Sequence, residues 1–301
     1  MVKFVADSSC DVTELMGANF EAVPLTISTD EKSYIDDPNI DIHDMLDYLA
    51  AYNDRSYTAC PSTERWMAAF EGADEIYVAT VTGCISGTYN SACLARDLYL
   101  EDHPDTRILV VDSLSTGPEL RMIVEKMIEM KQSGMTFEQI SAEIPSYVKS
   151  TKLVFAFQSL HNLAQNGRVN KVVAGAIGML GITITGRASE IGTVEPTGKC
   201  RGEKRVIRTL LEDMKKEGWM GGKIRICHIE NQALAEKIAQ AIRKEYEFAS
   251  QMASLAPAAG GNTSYEVMPD LDLEIYPAMG LVSYYGERGG ICIGYETAGN
   301  I

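Results

Sequence analysis

The 301-residue chain has no apolar run approaching the ~20 residues that span a bilayer. Its opening, Met1-Val2-Lys3-Phe4-Val5-Ala6-Asp7, reaches an acid too early for a secretory leader. A cytoplasmic protein with no stable membrane anchoring is therefore expected. Seven cysteines are present, but no Cys-x-x-Cys occurs, and an odd, scattered set predicts neither a disulfide framework nor a zinc site. The four histidines, His43, His103, His161 and His228, show no ligand spacing, so no metal is expected. Neither a Walker A motif nor a Gly-x-Gly-x-x-Gly after a strand occurs, which argues against a nucleotide cofactor site. Solenoid-length repeats and low-complexity tails are absent too.

What is present is 46% hydrophobic residues, enough for real cores, and a net charge of −15 that is unevenly placed. Residues 1–150 hold 10 basic and 26 acidic side chains, whereas residues 151–301 hold 17 basic and 16 acidic. The acidic half argues against nucleic acid as a partner. The balanced half contains a basic run, Lys199-Cys200-Arg201-Gly202-Glu203-Lys204-Arg205. Length and charge together predict two domains, 1–150 and 151–301.

In the first half, strand patterns at Val2–Ala6, Ala22–Ile27, Glu75–Val81 and Arg107–Asp112 alternate with helix patterns at Ile42–Tyr52, Thr63–Phe70, Thr88–Tyr99, Gly117–Gln132 and Thr136–Lys149. This alternation predicts a three-layer α/β domain around a mostly parallel sheet, with ligands beyond the carboxyl ends of its strands. Three polar turns fall at such ends: Asp7-Ser8-Ser9, Thr82–Ser86 and Asp112-Ser113. The second half reads as α+β, with strands at Lys152–Phe157, Lys223–Ile229 and Gly290–Tyr295 and helices at His161–Arg168, Glu203–Lys216 and Gln232–Tyr246. The small-residue run Ala174–Leu180 suits close helix packing, and Pro257–Thr263 reads as a loop.

Two hydroxyls stand out. Ser86, in Thr82-Gly83-Cys84-Ile85-Ser86-Gly87-Thr88, lies where a strand gives way to a helix, and Gly87 lets the backbone approach a ligand closely. Three roles are open to it: nucleophile, anion clamp or plain helix cap. A hydrolase elbow places glycines two residues either side of its serine; here they sit three before and one after, which weighs against the nucleophile. Thr58 lies just ahead of Pro61, a residue suited to a helix start. Two such hydroxyls at neighbouring helix starts can pinch a small anion.

These segments together resemble the DegV family of fatty-acid-binding proteins over nearly the whole length. The matches are Asp7-Ser8-Ser9-Cys10-Asp11, Val23-Pro24-Leu25, Tyr34-Ile35-Asp36, Thr58-Ala59-Cys60-Pro61-Ser62, Ile85–Ala92, Val111-Asp112-Ser113, Gly167-Arg168-Val169 and Gly198–Lys204, in family order. The resemblance implies a non-catalytic binding subunit. Such a protein holds one long-chain fatty acid in an apolar tunnel between its two domains and presents the carboxylate to a separate ATP-dependent kinase subunit that makes an acyl phosphate. It implies that Thr58, Ser86 and Gly87 meet the carboxylate, with Arg168 near it, and that Arg201 and Lys204 meet the phosphate or the kinase. No cofactor beyond the bound fatty acid is implied.

The chain also departs from the family pattern. The family's C-terminal His-x-Gly-Pro-Gly has no counterpart in Pro277–Gly290, where Ser283 or Tyr284 offers a hydroxyl instead and Arg288 a charge. Ile182-Thr183-Ile184 replaces the family's Ile-Lys-Pro, and Ala59-Cys60 replaces Ser-Gln. Two alternatives stand beside the carrier: an acyl or phosphoryl ester hydrolase using Ser86 or Cys84, and a lipid-sensing regulator without a kinase partner.

Overall fold

The computed structural model describes residues 1–169, 181–255 and 268–298. The small-residue run at 174–180 and the loop at 257–263 lie outside them. Strand β1 (Val2–Asp7) is followed by β2 (Phe20–Val23), β3 (Thr26–Ser28) and β4 (Ser33–Ile35). Then come α1 (Ile42–Ala51), β5 (Tyr57–Ala59), α2 (Thr63–Phe70), β6 (Glu75–Thr80), α3 (Thr88–Asp102) and β7 (Arg107–Asp112). Strands β2-β1-β6-β7 form a parallel sheet in that order. The helices α4 (Gly117–Gln132) and α5 (Phe137–Ser150) cover one face of it, packing Leu120, Ile123, Met127 and Ile144 onto Phe4 and Tyr77. The other face meets α2 and α3 through Trp66, Phe70 and Tyr99. Mixed α/β layering around a parallel sheet, as expected, follows from these one-sided helices.

The second sheet is larger and mixed. Strands β8 (Thr151–Phe157), β9 (Ile182–Ala188), β10 (Val194–Arg201), β11 (Lys223–His228), β12 (Asp272–Pro277) and β13 (Ile291–Glu296) lie in the order β10-β9-β8-β13-β11-β12. All neighbours are antiparallel except β11 and β12. Helices α7 (Glu203–Lys216) and α8 (Gln232–Leu255) cover one face, burying Leu210, Met214, Ile238 and Ile242 against Val154, Ala156, Ile226 and Ile293. The opposite face carries Leu153, Phe155, Phe157, Cys227 and Cys292. The period of two along a strand places these residues on one side and their neighbours on the other. Against this face pack α6 (His161–Gln165), α9 (Gly280–Gly286), α1 and the small antiparallel sheet β4-β3-β5.

Several expectations are corrected. The single strand at Ala22–Ile27 is two strands in different sheets. Pro24 lacks the N–H that would continue the ladder, and the chain turns there. The helix expected through Arg168 ends at Gln165, with Gly167 in the left-handed region (φ +73°) closing it. The helix from Gln232 runs past Tyr246 to Leu255.

The two sheets meet along α4. Gly294 of β13 touches it so closely that a Cβ there would lie 2.6 Å from the Glu119 nitrogen. Beside this contact, Arg225 pairs with Glu125 (2.9 Å) and Arg121 with Glu274 (2.6 Å), joining the helix to the far sheet.

Candidate functional site

The carboxyl ends of the parallel strands hold one another. Asp7 ends β1, and its Oδ2 accepts from the Val81 N–H at 2.6 Å. Asp112 ends β7, and its two oxygens accept from the Gly83 N–H at 3.2 and 3.1 Å. The Thr82 N–H donates to the Ser115 carbonyl at 2.8 Å. The Thr82–Ser86 turn is thus fixed from both sides before α3 begins.

Ser86 sits at the front of α3. Its Oγ accepts from the Thr88 N–H at 3.3 Å and lies 2.7 Å from Thr88 Oγ1. The serine therefore closes a local turn ahead of α3, whose N-cap is Gly87, and it is only half-buried and lines a cavity. The neighbouring helix start lies alongside. Ser91 Oγ of α3 donates to the Pro61 carbonyl at 2.8 Å, and a Cβ on Gly87 would sit 3.4 Å from Cys60 Sγ. Gly87 has an ordinary α-region φ of −75°, so what it supplies is room beside Cys60.

From the other side comes α9. The Tyr285 hydroxyl lies 2.8 Å from Thr58 Oγ1. Burial pushes its phenol pKa up, opposed by the Thr58 hydrogen bond and the Arg168 guanidinium beside it. Arg168 is half-buried, and its Nη1 donates to the Asn166 carbonyl at 2.7 Å. Thr58, Ser86, Arg168 and Tyr285 all line one cavity. Its walls are apolar: Leu25, Ile85, Leu163, Leu281, Val282, and the β8 row Leu153, Phe155 and Phe157. The last two rings stack at 4.5 Å. At another part of the wall the β9–β10 turn seats Gly192 on the Thr82 side chain, so tightly that a Cβ there would collide with it.

Four of the residues expected near the carboxylate, Gly87, Ser283, Tyr284 and Arg288, do not line this cavity. Ser283 is fully buried outside the cavity lining, and its hydroxyl donates to the Ala278 carbonyl at 3.3 Å. Tyr284 is also fully buried; its hydroxyl lies 2.8 Å from Ser56 Oγ and accepts from Asn166 Nδ2 at 2.9 Å. Arg288 is partly exposed and paired with Glu230 and Asp47. The residue missed is Tyr285. Two adjacent tyrosines on one helix point about 100° apart, and nothing in their immediate neighbours says which faces the cavity.

Arg201 and Lys204 are exposed, at the end of β10 and the start of α7, and neither lines the cavity. None of the four histidines lines it either. His43 lies by Glu230, His103 stacks on Tyr99, His161 is exposed and His228 accepts from the Asn231 N–H. Ser86 therefore has no imidazole to take its proton. Among the described residues no cluster of His, Cys, Asp or Glu is arranged for a metal ion, and no helix is long and apolar enough to cross a membrane.

The chamber gathers neutral hydroxyls and two guanidinium groups, Arg168 and Arg187, in a largely apolar wall; Arg187 is paired with Glu195 and Glu217, and such a lining has the chemistry to hold an amphiphile by an acidic head. Sequence comparison is consistent with that class. Residues 1–264 match the family described as uncharacterised DegV proteins, and the chain belongs to the DegV family. A DegV domain-containing protein of Streptococcus pneumoniae is 37% identical over 298 residues, 98% of each chain. Among solved structures, a DegV family protein from Eubacterium eligens loaded with heptadecanoic acid superposes with a TM-score of 0.90 at 48% identity, covering 99% of this chain and 100% of that one. The fatty acid kinase B3 protein of Streptococcus pneumoniae, loaded with linoleic acid, gives 0.88 at 37% identity, over 98% and 99%.

Proposed function

We propose that this protein binds a long-chain fatty acid with its tail in the apolar cavity and its carboxylate at Thr58, Ser86, Tyr285 and Arg168. The acid lies between two units, 1–150 and 151–301. The first unit supplies Thr58 and Ser86, and the second supplies the β8 wall, Arg168 and Tyr285. The observation that carries this reading is the meeting of Thr58 and Tyr285 at 2.8 Å in the wall of a cavity that also carries a continuous apolar face, Leu153, Phe155, Phe157, Leu281 and Val282. Each methylene buried there is worth ~0.8 kcal/mol, so the tail supplies most of the affinity and the head fixes the orientation. The relatives solved with heptadecanoic and linoleic acid support the ligand class.

The kinase B3 relative supports a further step, in which a separate ATP-dependent subunit phosphorylates the bound carboxylate. In that reaction Arg168 balances the charge that grows on the acyl phosphate, and exposed Arg201 and Lys204 meet the kinase. The protein itself acts as the ligand-binding subunit.

Mass spectrometry of the denatured purified protein, followed by uptake of C14–C18 acids, tests the binding. Recovery of a stoichiometric fatty acid is expected. Absence of both native lipid and uptake overturns the reading. Phosphorylation of the loaded protein by a fatty acid kinase subunit with ATP tests the second step, and a lipid sensor without a kinase partner yields no acyl phosphate.

A further inference from the structure

No residue of two motifs of the first half, Asp7-Ser8-Ser9-Cys10-Asp11 and Tyr34-Ile35-Asp36, lines the cavity itself. Their aspartates are buried. Asp36 accepts from the Gly280 N–H through Oδ1 at 2.8 Å and from the Leu281 N–H through Oδ2 at 3.0 Å. Asp11 Oδ1 accepts from the Met279 N–H at 2.9 Å. Ser8 Oγ donates to Asp36 Oδ2 at 2.8 Å and accepts from the N–H of Leu25, a cavity residue, at 3.1 Å. The N–H of the N-cap residue Met279 and the first two N–H groups of α9, donors with no partner inside the helix, are thus held by aspartates more than 240 residues away in sequence. Gly280 lets this happen: a Cβ there would lie 2.6 Å from Asp36 Oδ1. Leu281 and Val282 in the first turn of the same seven-residue helix, and Tyr285 just over one turn on from Gly280, form cavity wall.

We propose that Asp36 and Asp11 are positioning residues that latch α9 in place, so that Tyr285 stays on Thr58 and the bound acid is retained. The idea rests on the fatty-acid reading above. It adds that α9 is the movable part of the wall and that ligand exchange is controlled from its front end, by groups that never touch the ligand. A short helix fastened at one end by three hydrogen bonds to two buried aspartates releases its far end when those bonds go, and the Tyr285–Thr58 contact opens with it.

The test uses the full-length protein loaded with radiolabelled hexadecanoic acid and chased with unlabelled acid. Asp36→Ala is expected to exchange about 10- to 30-fold faster than wild type, the loss of two hydrogen bonds to a charged acceptor. Asp36→Asn keeps one good acceptor and is expected to be intermediate. Gly280→Ala, which forces the carboxylate away from the other side, is expected to mimic Asp36→Asn. Combined with Tyr285→Phe, Asp36→Asn is expected to add less than it does alone, since both changes act through one contact. Wild-type exchange in Asp36→Asn and Gly280→Ala, or full additivity with Tyr285→Phe, overturns the latch even if melting temperatures fall. Amide hydrogen exchange on ligand-free protein separates this from failure of the fatty-acid reading. Faster exchange confined to residues 280–286 in Asp36→Asn supports the latch whether or not wild type takes up lipid, and unchanged exchange there overturns it.

Discussion

The two sheets contribute to the cavity in opposite ways. The parallel sheet contributes its strand ends: polar turns, two helix starts and carboxylates that tie the turns together. The six-stranded sheet contributes a face, the apolar row Leu153, Phe155 and Phe157, with Cys292 beside it. Parallel strands converge their unsatisfied backbone groups and helix starts at one edge, which suits an acidic head. An antiparallel sheet can present one whole face, which suits a long tail. An amphiphile needs both, and the cavity lies where the two are brought together.

The sharpest way to break this division is to remove part of the face. Phe155→Ala deletes a side chain that is 3% exposed and stacked on Phe157, and should cost about 3–5 kcal/mol of folding stability, read as a lower denaturant midpoint. The enlarged chamber should also shift uptake toward bulkier acyl chains in a competition assay.

The strand-end contribution is smaller. Ser86→Ala removes a hydroxyl that both accepts from the first N–H of α3, at Thr88, and lines the cavity. A fall in fatty acid affinity of about 5- to 100-fold is expected, with a stability loss of only about 0.5–2 kcal/mol. Unfolding of this variant, or unchanged affinity, would leave Ser86 as a turn residue alone.

Titration compares the polar edge with the rest of the molecule. Burial raises Asp7 and Asp36 to about 6, Glu119 to about 7 and Asp11 to about 8. Around the aspartates lie the Cys10 and Cys227 thiols, the Tyr276 phenol and the Arg121 guanidinium, and only Arg121 carries a charge that favours their ionisation. The folded state therefore binds more protons than the unfolded state between about pH 4 and pH 8. Stability from these groups is complete below about pH 4 and is lost as pH rises through their folded values. The melting temperature should be higher at pH 5.5 than at pH 8, and Asp36→Asn should flatten that slope. Carboxylates held low by nearby cations, such as Glu125 and Asp272, work in the other direction but only at more acidic pH. A melting temperature that rises from pH 5.5 to pH 8 would contradict the burial of these groups.

The smallest expected effect is at Arg201, exposed on the far end of β10. Arg201→Ala should leave fatty acid retention and melting temperature unchanged, within about 0.5 kcal/mol, while reducing phosphorylation by the kinase subunit. Loss of fatty acid binding would tie Arg201 to the cavity instead.

The parallel sheet was legible because β-branched runs ending in glycine, proline or hydroxyl residues alternate with amphipathic helices. Thr63–Phe70, Gly117–Gln132 and Glu203–Lys216 were read to the residue. Thr58 and Ser86 were legible for the same reason, as hydroxyls at strand-to-helix turns. The β9–β10 hairpin was not. Pro196 and Gly198 break its pattern, and the strand tolerates them because it is the sheet edge and shifts register between those two residues. Helix α9 was missed because it is short, begins and ends in glycine, and is anchored by Asp11 and Asp36 from the far end of the chain. Tyr285 went with it.

Gly294 has a mechanical consequence. A Cβ at this position would lie 2.6 Å from the α4 backbone, so any side chain there would force β13 off that helix, and the Arg225–Glu125 pair joins the next strand to the same rod. The gauge of the chamber is thus set at one axle, and a bulkier residue at 294 would widen it from there.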